Sequence, residues 1–417
     1  MSCCVIFVVD EFNNIIENER LLKIAIFTAA KQSMKERIII LGGGIAGLTA
    51  AIALRQLGYE PVVYESAREL KGIGAGFGLA SNAMKAFELL GLESEVAQLG
   101  YPVDSFRICD ELGRALIETD PARLQARYQA ENYAFHRADL HKLLMAYLPS
   151  EALVLSHRAV SFKQDDDGVD LSFANGENLR GDYLLVADGV HSAIRQQLVP
   201  SARPRYAGYT CWRAVVDNRL VGVEEGVETW GAKGRFGLTP LIGDRLYWYA
   251  CVNAPARDAH YAAYRVADLQ AHFSHYHEPV VRALSITKDE DLLWNDIMDI
   301  RPLRRFAYGR ALLLGDAAHA TTPNMGQGAC QAIEDAAILK SELRKRATFE
   351  EAFIAFEGRR LKRTQYIIET SRRAGWLAQL SNPILVSVRN NLFRLLPNSL
   401  AASQLKRLYE EDFIEDY

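Results

Sequence analysis

No apolar run approaches the roughly 18 residues that a spanning helix needs, so a transmembrane segment is not expected in this chain. Its six cysteines, Cys3, Cys4, Cys109, Cys211, Cys251 and Cys330, include no CxxC pair and no zinc-ligand spacing. Neither a dithiol couple nor a structural metal is signalled, and the expectation is reduced thiols in a cytoplasmic protein. Charge of one sign is scarce as well: 48 Lys and Arg stand against 52 Asp and Glu, a net charge of -4. With no long basic block there is no footprint for nucleic acid, which leaves a small molecule as the expected partner. Internal repeats and low-complexity linkers are also missing. What remains is ordinary globular composition, 49% hydrophobic and 24% charged over 417 residues, enough for two or three domain-sized units.

Residues 1–34 differ from the rest. The apolar run Val5 to Val9 is too short for a signal-peptide core, and Asp10, Glu11, Glu17 and Glu19 follow it. They read as an extension outside the fold, with Met34 as the expected start of translation.

Lys35 to Leu41 is a short, nearly all-apolar run of the kind found in a parallel strand buried on both faces. Ile45 to Leu57 reads as a helix stopped by Gly58, and Pro61 to Glu65 as a second strand, which makes one βαβ unit. Two similar strands recur much later, Tyr183 to Ala187 and Ala311 to Leu314, each ending in an Asp-containing turn. A sheet assembled from segments so far apart implies a discontinuous domain. Between them lie alternating patterns with hairpin turns at Asp165 to Gly168, Asn175-Gly176 and Gly243-Asp244. The stretch from Arg205 to Asn253 therefore predicts a mostly antiparallel sheet suited to covering a substrate. Gln327 to Arg346 turns helical with Ile333, Ala336, Leu339 and Leu343 on one stripe; Phe349 to Arg373 continues helical, and the tail after Asn382 is amphipathic.

The loop after the first strand, Gly42-Gly43-Gly44-Ile45-Ala46-Gly47, is a GxGxxG. Such glycines allow a tight turn, close approach of a pyrophosphate to backbone, and tight helix packing. The helix N-terminus adds partial positive charge. Glu65 lies about twenty residues on, at the end of the second strand, where a carboxylate can accept bonds from a ribose diol. An adenine dinucleotide is implied, with NAD and FAD both open at this point. A second contact far along the chain separates them, because FAD carries a ribityl chain and an isoalloxazine beyond the adenosine. The buried strand ahead of Gly315-Asp316 delivers a carboxylate at its carboxyl end, where open α/β sheets bind ligands.

Three motifs, in this order, resemble those of the single-component FAD-dependent aromatic hydroxylases, the family of para-hydroxybenzoate, salicylate and urate hydroxylases. They are the GxGxxG with Glu65, the segment from Asp182 to Arg195 (DYLLVADGVHSAIR), and GDAAHATTPNMGQGACQAIEDA from Gly315 to Ala336. The likeness covers Lys35 to about Arg373. It implies an α/β (α+β) fold: a Rossmann-like FAD-binding domain with a parallel sheet, a mostly antiparallel substrate-covering sheet, and C-terminal helices. The expected division is 35–105 with 132–204 and 295–375 for FAD, 106–131 with 205–294 for substrate, and 376–417 as a helical tail. Tightly bound FAD is expected to touch Gly42, Gly44, Ala46, Gly47, Glu65, Ser66, Gly78, Arg137, Asp188, Gly189, Asp316, Gly326, Gln327, Gly328 and Ala329. Pro323 is expected beside the flavin carbon that captures oxygen.

The implied activity uses transient NADPH or NADH and O2 to hydroxylate a small aromatic or heteroaromatic substrate through a C4a-peroxyflavin. The cofactor carries that chemistry, so neither a metal nor a catalytic triad is needed. The protein is expected to be a monomer or homodimer. A reductase or epoxidase of an isoprenoid or polyene on the same scaffold, and a non-catalytic flavin-binding regulator, are the competing classes. Oxygen-independent substrate reduction distinguishes the first, and a flavin that NAD(P)H never reduces the second.

The covering sheet is rich in aromatics, with Tyr209, Trp212, Trp230, Phe236, Tyr247 and Trp248, which suits a planar ligand but equally suits a core. Alternation puts Trp212 and Arg213 on opposite faces. Likeness to urate-type hydroxylases favours Arg235 as an anion clamp and Tyr247 as a hydroxyl donor. Asn324 departs from relatives that carry an acid after the flavin-side proline, and an amide cannot act as a general base; urate itself is therefore not the expected substrate. His272, His275 and His277 read as a solvated helix end, and His319 as a structural histidine. Arg359, Arg360, Lys362, Arg363, Arg372 and Arg373 read as a solvated helix face. The tail from Pro383 to Leu405 is expected to dock on its own domain.

Overall fold

The computed structural model describes residues 36–70, 75–103, 105–118 and 132–395. The expected extension 1–34, most of 106–131 beyond residue 118, and the tail after Leu395 lie outside them.

The strand Ile38–Leu41 is buried at all four positions because its sheet is covered on both sides, which is why its sequence is apolar without alternation. It occupies the centre of a six-stranded sheet in the order Ala307–Tyr308, Ala311–Leu313, Tyr183–Val186, Ile38–Leu41, Val62–Tyr64, Leu153–Val154. All pairings are parallel except that of the edge strand Ala307–Tyr308. Ile40 sits opposite Leu185 on one side and Val63 on the other, and Leu185 opposite Leu312. The helix Ile45–Arg55 buries Leu48, Ala51, Ile52 and Leu54 in the same core as Ile333, Ala336, Leu339 and Leu343 of the helix Gly328–Lys345. Alanines on the first helix let the second pack closely against it.

The strands Ala159–Gln164, Val169–Phe173 and Asn178–Gly181 form an antiparallel meander with turns at the two predicted places. A small sheet pairs Gly76–Leu79 and Tyr101–Pro102 with Tyr133–His136.

The third architectural unit is a seven-stranded sheet: Leu293–Asp299, Arg205–Asp217, Arg245–Asn253, Gly234–Leu241, Gly226–Gly231, Phe106–Cys109, Ala115–Glu118. Its pairings are antiparallel apart from that of Gly226–Gly231 with Phe106–Cys109. The hairpin at Gly243 and Asp244 has positive φ at both residues, 76° and 54°, the geometry that matches the twist of a two-residue turn. Strand Leu293–Asp299 completes this sheet, so the polypeptide leaves it at Asp299 and not at residue 295.

The outer face of the seven-stranded sheet is closed by the helices Val266–His272 and Glu278–Ser285. Trp212, Phe236 and Trp248 pack there against Leu269, Phe273, Val280 and Leu284. Those three aromatics are core, not pocket. Tyr209, Tyr247 and Trp230 are on the opposite face, where Tyr247 meets Ala134 of the small sheet and Trp230 meets Ala378 at the end of the long helix Phe349–Ala378. The helix Pro383–Leu395 follows that long helix.

Candidate active site

Gly42 has φ 101°, and a Cβ there would lie 2.3 Å from the carbonyl oxygen of Ala187. Its N–H donates to the Tyr64 carbonyl at 2.8 Å. The glycine turn is thereby pressed between the end of the second strand and the Asp188 turn. Gly315, with φ 53°, makes the other close approach: a Cβ there would fall 2.6 Å from that of Ala46, in the first turn of helix Ile45–Arg55. Three segments separated by more than a hundred residues each thus meet at the carboxyl edge of the parallel sheet, where such sheets bind ligands. Arg195 ties two of them together from below. Fully buried, it donates from Nη2 to the Val190 carbonyl (2.5 Å) and from Nη1 to the carbonyls of Ala317 (3.3 Å) and Asp316 (3.4 Å).

Helix Ile45–Arg55 begins at Gly44 with no capping side chain and no acidic residue in its first turn. Its first N–H groups are left for an outside acceptor. Beside them Glu65 accepts from the backbone N–H of Gly43 (Oε2, 2.7 Å) and Ala67 (Oε1, 2.7 Å), and from the Ser66 hydroxyl (3.0 Å). Burial would raise its pKa; these donors win and hold it below the usual carboxylate value, so it stays a charged acceptor. His141, which the sequence did not bring forward, bonds the Gly43 carbonyl through Nε2 at 2.6 Å and steadies the turn.

The side-chain oxygens of Asp316 accept no hydrogen bond among the described residues, and the residue is exposed, with Arg137 and Arg195 supplying positive charge nearby. Asp188 Oδ1 is buried with no partner, and burial raises its pKa. The exposed Arg137 starts the helix Arg137–Ala146.

Farther along, Pro323–Met325 forms one helical turn, and Gly326 (φ 64°) reverses the backbone into the helix Gly328–Lys345. This second helix also starts with no capping side chain and no acid in its first turn. A Cβ at Gly44, Gly189 or Gly326 would meet nothing within 4 Å, and at Gly328 only the Thr321 methyl at 3.9 Å. Open space therefore runs over all four. Gln327 turns its side chain inward, accepting from Asn82 (3.0 Å) and Gln331 (3.0 Å). Behind it lies a buried ionic lattice: Glu334 holds Asn82 (2.5 Å), Arg360 (2.5 Å) and Arg363 (2.6 Å), while Asp335 holds Arg360 (2.7 Å), His319 (2.7 Å) and the Gly315 N–H (2.8 Å).

This lattice corrects the expected solvated arginine face. Arg360 and Arg363 are buried ion-pair partners, Arg359 pairs with Glu342, and Arg372 binds Asp299, which leaves Lys362 and Arg373 exposed. The structural reading of His319 agrees with its burial against Asp335.

Two uncapped helix starts, a carboxylate at each end and a partnerless Asp188 oxygen form one donor and acceptor set. It suits a molecule with a pyrophosphate, a diol, a polyhydroxyl chain and a pyrimidine edge, and FAD has all four. Gly78 lies in the strand alongside, next to Phe77.

The face of the seven-stranded sheet toward this cleft carries Tyr209, Cys211, Arg213, Arg235, Tyr247, Tyr249 and Cys251. Tyr247 abuts Gly76, where a Cβ would come within 2.4 Å of its ring. Burial holds its hydroxyl well above the usual phenol pKa despite Arg213 beside it, so it remains a protonated donor. Arg235 is 3% exposed and already committed: Nη1 to Glu228 (3.1 Å), Nε to Gln379 (3.0 Å), Nη2 to Asn324 (2.8 Å). Asn324 Oδ1 also accepts from Tyr209 (3.1 Å), and its Nδ2 donates to Thr322 (2.8 Å) and the Ser371 carbonyl (2.9 Å). Cys211 and Cys251 face each other across the neighbouring strands Arg205–Asp217 and Arg245–Asn253. Sequence reading missed Glu228, Gln379 and this thiol pair, because none belongs to a local motif.

Fold and site together define a flavin-dependent oxidoreductase with its substrate covered by a second sheet. The family described as FAD binding domain matches residues 35–352, and the chain belongs to that family. FAD is its cofactor, and its class is that of the flavoprotein monooxygenases of aromatic-hydroxylase type. It is 36% identical over 376 residues to the aurachin C monooxygenase/isomerase of Stigmatella aurantiaca, covering 89% of this chain and 97% of that one. Identity to the 2-heptyl-3-hydroxy-4(1H)-quinolone synthase of Pseudomonas aeruginosa is 31% over 380 residues, with the same two shares, 89% and 97%. The solved structure of Klebsiella pneumoniae HpxO complexed with FAD and uric acid superposes with a TM-score of 0.82 at 28% identity, over 89% of this chain and 95% of that one. No described helix is long and apolar enough to cross a membrane.

Asp316 gives a prediction about the cofactor. Asp316→Asn removes a charged acceptor at the end of the strand Ala311–Leu313 and keeps the side chain's size. The expected outcome is FAD affinity weakened roughly 10- to 100-fold, as for loss of a charged hydrogen bond. A flavin titration checks it.

Proposed function

We propose that the protein uses NAD(P)H and O2 to hydroxylate a nitrogen heteroaromatic ring lying between Pro323 and the inner face of the seven-stranded sheet. The observation that carries this reading is the convergence of the Gly42, Asp188 and Asp316 segments opposite a polar and aromatic face. FAD, held along its length by Gly42, Gly44, Ala46, Gly47, Glu65, Ser66, Gly78, Arg137, Asp188, Gly189, Asp316 and Gly326 to Ala329, supplies hydride acceptance and oxygen activation. The chain's own residues orient and enclose. First-turn N–H groups at Gly328 and Ala329 favour negative charge on the ring system they face, as preorganised donors do. Tyr247 donates to a substrate acceptor, and Arg213 beside it supplies positive charge. Arg235 acts through its partners, holding Asn324 and Gln379 in place, since Glu228 already balances its charge.

Asn324 in place of an acid means that this position takes no proton from the substrate. A ring that is electron-rich without prior deprotonation fits, and the quinolone in the name of the Pseudomonas relative is of that kind. The test is direct. Purified yellow protein is mixed with NAD(P)H and a panel of phenols, purines and quinolones, with NAD(P)H oxidation and product mass recorded. A quinolone is expected to accelerate oxidation and to gain one oxygen; acceleration by the carbocyclic phenols alone would reject the reading.

A further inference from the structure

Beyond the flavin cleft, a groove of about 450 Å³ opens between the helices Phe349–Ala378 and Pro383–Leu395. Its lining includes Tyr209, Thr322 and Asn324, which belong to the site described above, and Trp376, Leu380 and Leu385, which lead away from it. Trp376 is 71% exposed and Leu385 50% exposed, so the groove reaches solvent past these two apolar side chains, with the polar Arg372, Ser381 and Asn382 also in its lining.

Gln379 lines the groove between these parts and is itself buried, 9% exposed. Its Oε1 accepts from Arg235 Nε, a group that can only donate, and its backbone carbonyl accepts from Asn253 at 2.8 Å. That arrangement fixes the amide so that Nε2 is the free end. Nε2 is buried with no partner among the described residues, and a buried donor without an acceptor is costly unless a ligand supplies one.

We propose that this groove is a substrate subsite: it takes a hydrocarbon chain carried by the heteroaromatic ring, while Gln379 Nε2 donates to an acceptor on the ring or its linkage. The inference rests on the ring being bound at Pro323. It deepens that reading by assigning an amphiphilic substrate class. Continuity with Thr322 and Asn324 argues for a substituent of the substrate as occupant, and so does the donor placed where the ring gives way to the chain.

The test is a series of 4(1H)-quinolones with 2-methyl, 2-butyl and 2-heptyl groups, titrated into the holoenzyme by calorimetry. Full burial of a methylene strengthens binding about fourfold, so Kd is expected to fall roughly threefold per methylene until the chain outgrows the groove. Leu385→Glu, at the mouth, is expected to flatten this dependence. Leu392→Glu, on the same exposed helix face but not lining the groove, is expected to preserve it. Gln379→Met is expected to weaken every member about fivefold without changing the slope.

A Kd independent of chain length in the unaltered protein overturns the subsite. Equal flattening by Leu385→Glu and Leu392→Glu also overturns it, by pointing to a lipid surface or a second copy on the whole helix face. An unchanged Kd in Gln379→Met removes the donor assignment. Product formation from the 2-methyl compound is scored separately, so failure of the ring reading and failure of the groove are told apart.

Discussion

Gly42→Ala is expected to give a protein that purifies without yellow colour. The new methyl would sit 2.3 Å from the Ala187 carbonyl oxygen, on backbone with φ 101°. Neither neighbour can yield, because Ala187 continues a central strand of the parallel sheet and its N–H is bonded to the Leu41 carbonyl. The turn must therefore open, carrying the first N–H groups of helix Ile45–Arg55 away from where a pyrophosphate would lie. Backbone strain of this kind costs about 1–3 kcal/mol before the overlap is counted. Loss of FAD affinity should exceed roughly 100-fold, the combined effect of strain and lost phosphate donors. Visible absorbance and a flavin titration measure it; a variant that retains stoichiometric FAD would show that the glycine turn does not hold the cofactor. Far-UV circular dichroism should change little, since the turn is at the surface of the sheet and not within it.

The second large effect is expected from Arg360→Met. This guanidinium is fully buried and serves Glu334 and Asp335 at once, with further bonds to Gln331. Removing it leaves two buried carboxylates short of a cation, and such losses cost about 3–5 kcal/mol. Arg363 and His319 remain and soften the loss. A drop in melting temperature of roughly 5 °C follows from that range for a chain of this size. The pH dependence has a definite sign. Burial alone would raise the pKa of Glu334 and Asp335, but Arg360 with Arg363, and His319 with Arg360, hold the two below their usual values. Their stabilisation is therefore complete at neutral pH and disappears only as pH falls through those depressed values. In Arg360→Met the acid-unfolding midpoint should move up toward neutrality. An unshifted midpoint would mean that the lattice does not govern acid stability. Flavin fluorescence would report the consequence for the site, because Asn82 connects Glu334 to Gln327.

Much of this molecule is legible in its sequence because the chemistry is local. The glycine turn, Glu65 and the Asp316 strand end each declare themselves within a dozen residues, and their spacing along the polypeptide suffices to imply one cofactor. Hairpins at Asn175-Gly176 and Gly243-Asp244 are equally plain, since positive φ restricts the residue types. Alternation separates Trp212 from Arg213, yet says nothing of which face is covered by the helices Val266–His272 and Glu278–Ser285. Arg360 and Arg363 misled for a related reason: charge normally marks solvent, and only the tertiary approach of Glu334 and Asp335 makes their burial tolerable. Gln379 and Glu228 carry no signal of any kind until Arg235 is seen between them.

The parallel sheet has a consequence for biosynthesis. Its central strand, complete once Leu41 is made, can pair early with Val62–Tyr64, but finds its other neighbour only when Val186 has been translated, and the strand beyond that only when Leu313 leaves the ribosome. A nascent chain must wait with one edge of Ile38, Ile39 and Ile40 open, a vulnerability that slow, long-range pairing imposes. Shortening the protein at its far end would then be expected to produce aggregates and not a smaller soluble domain.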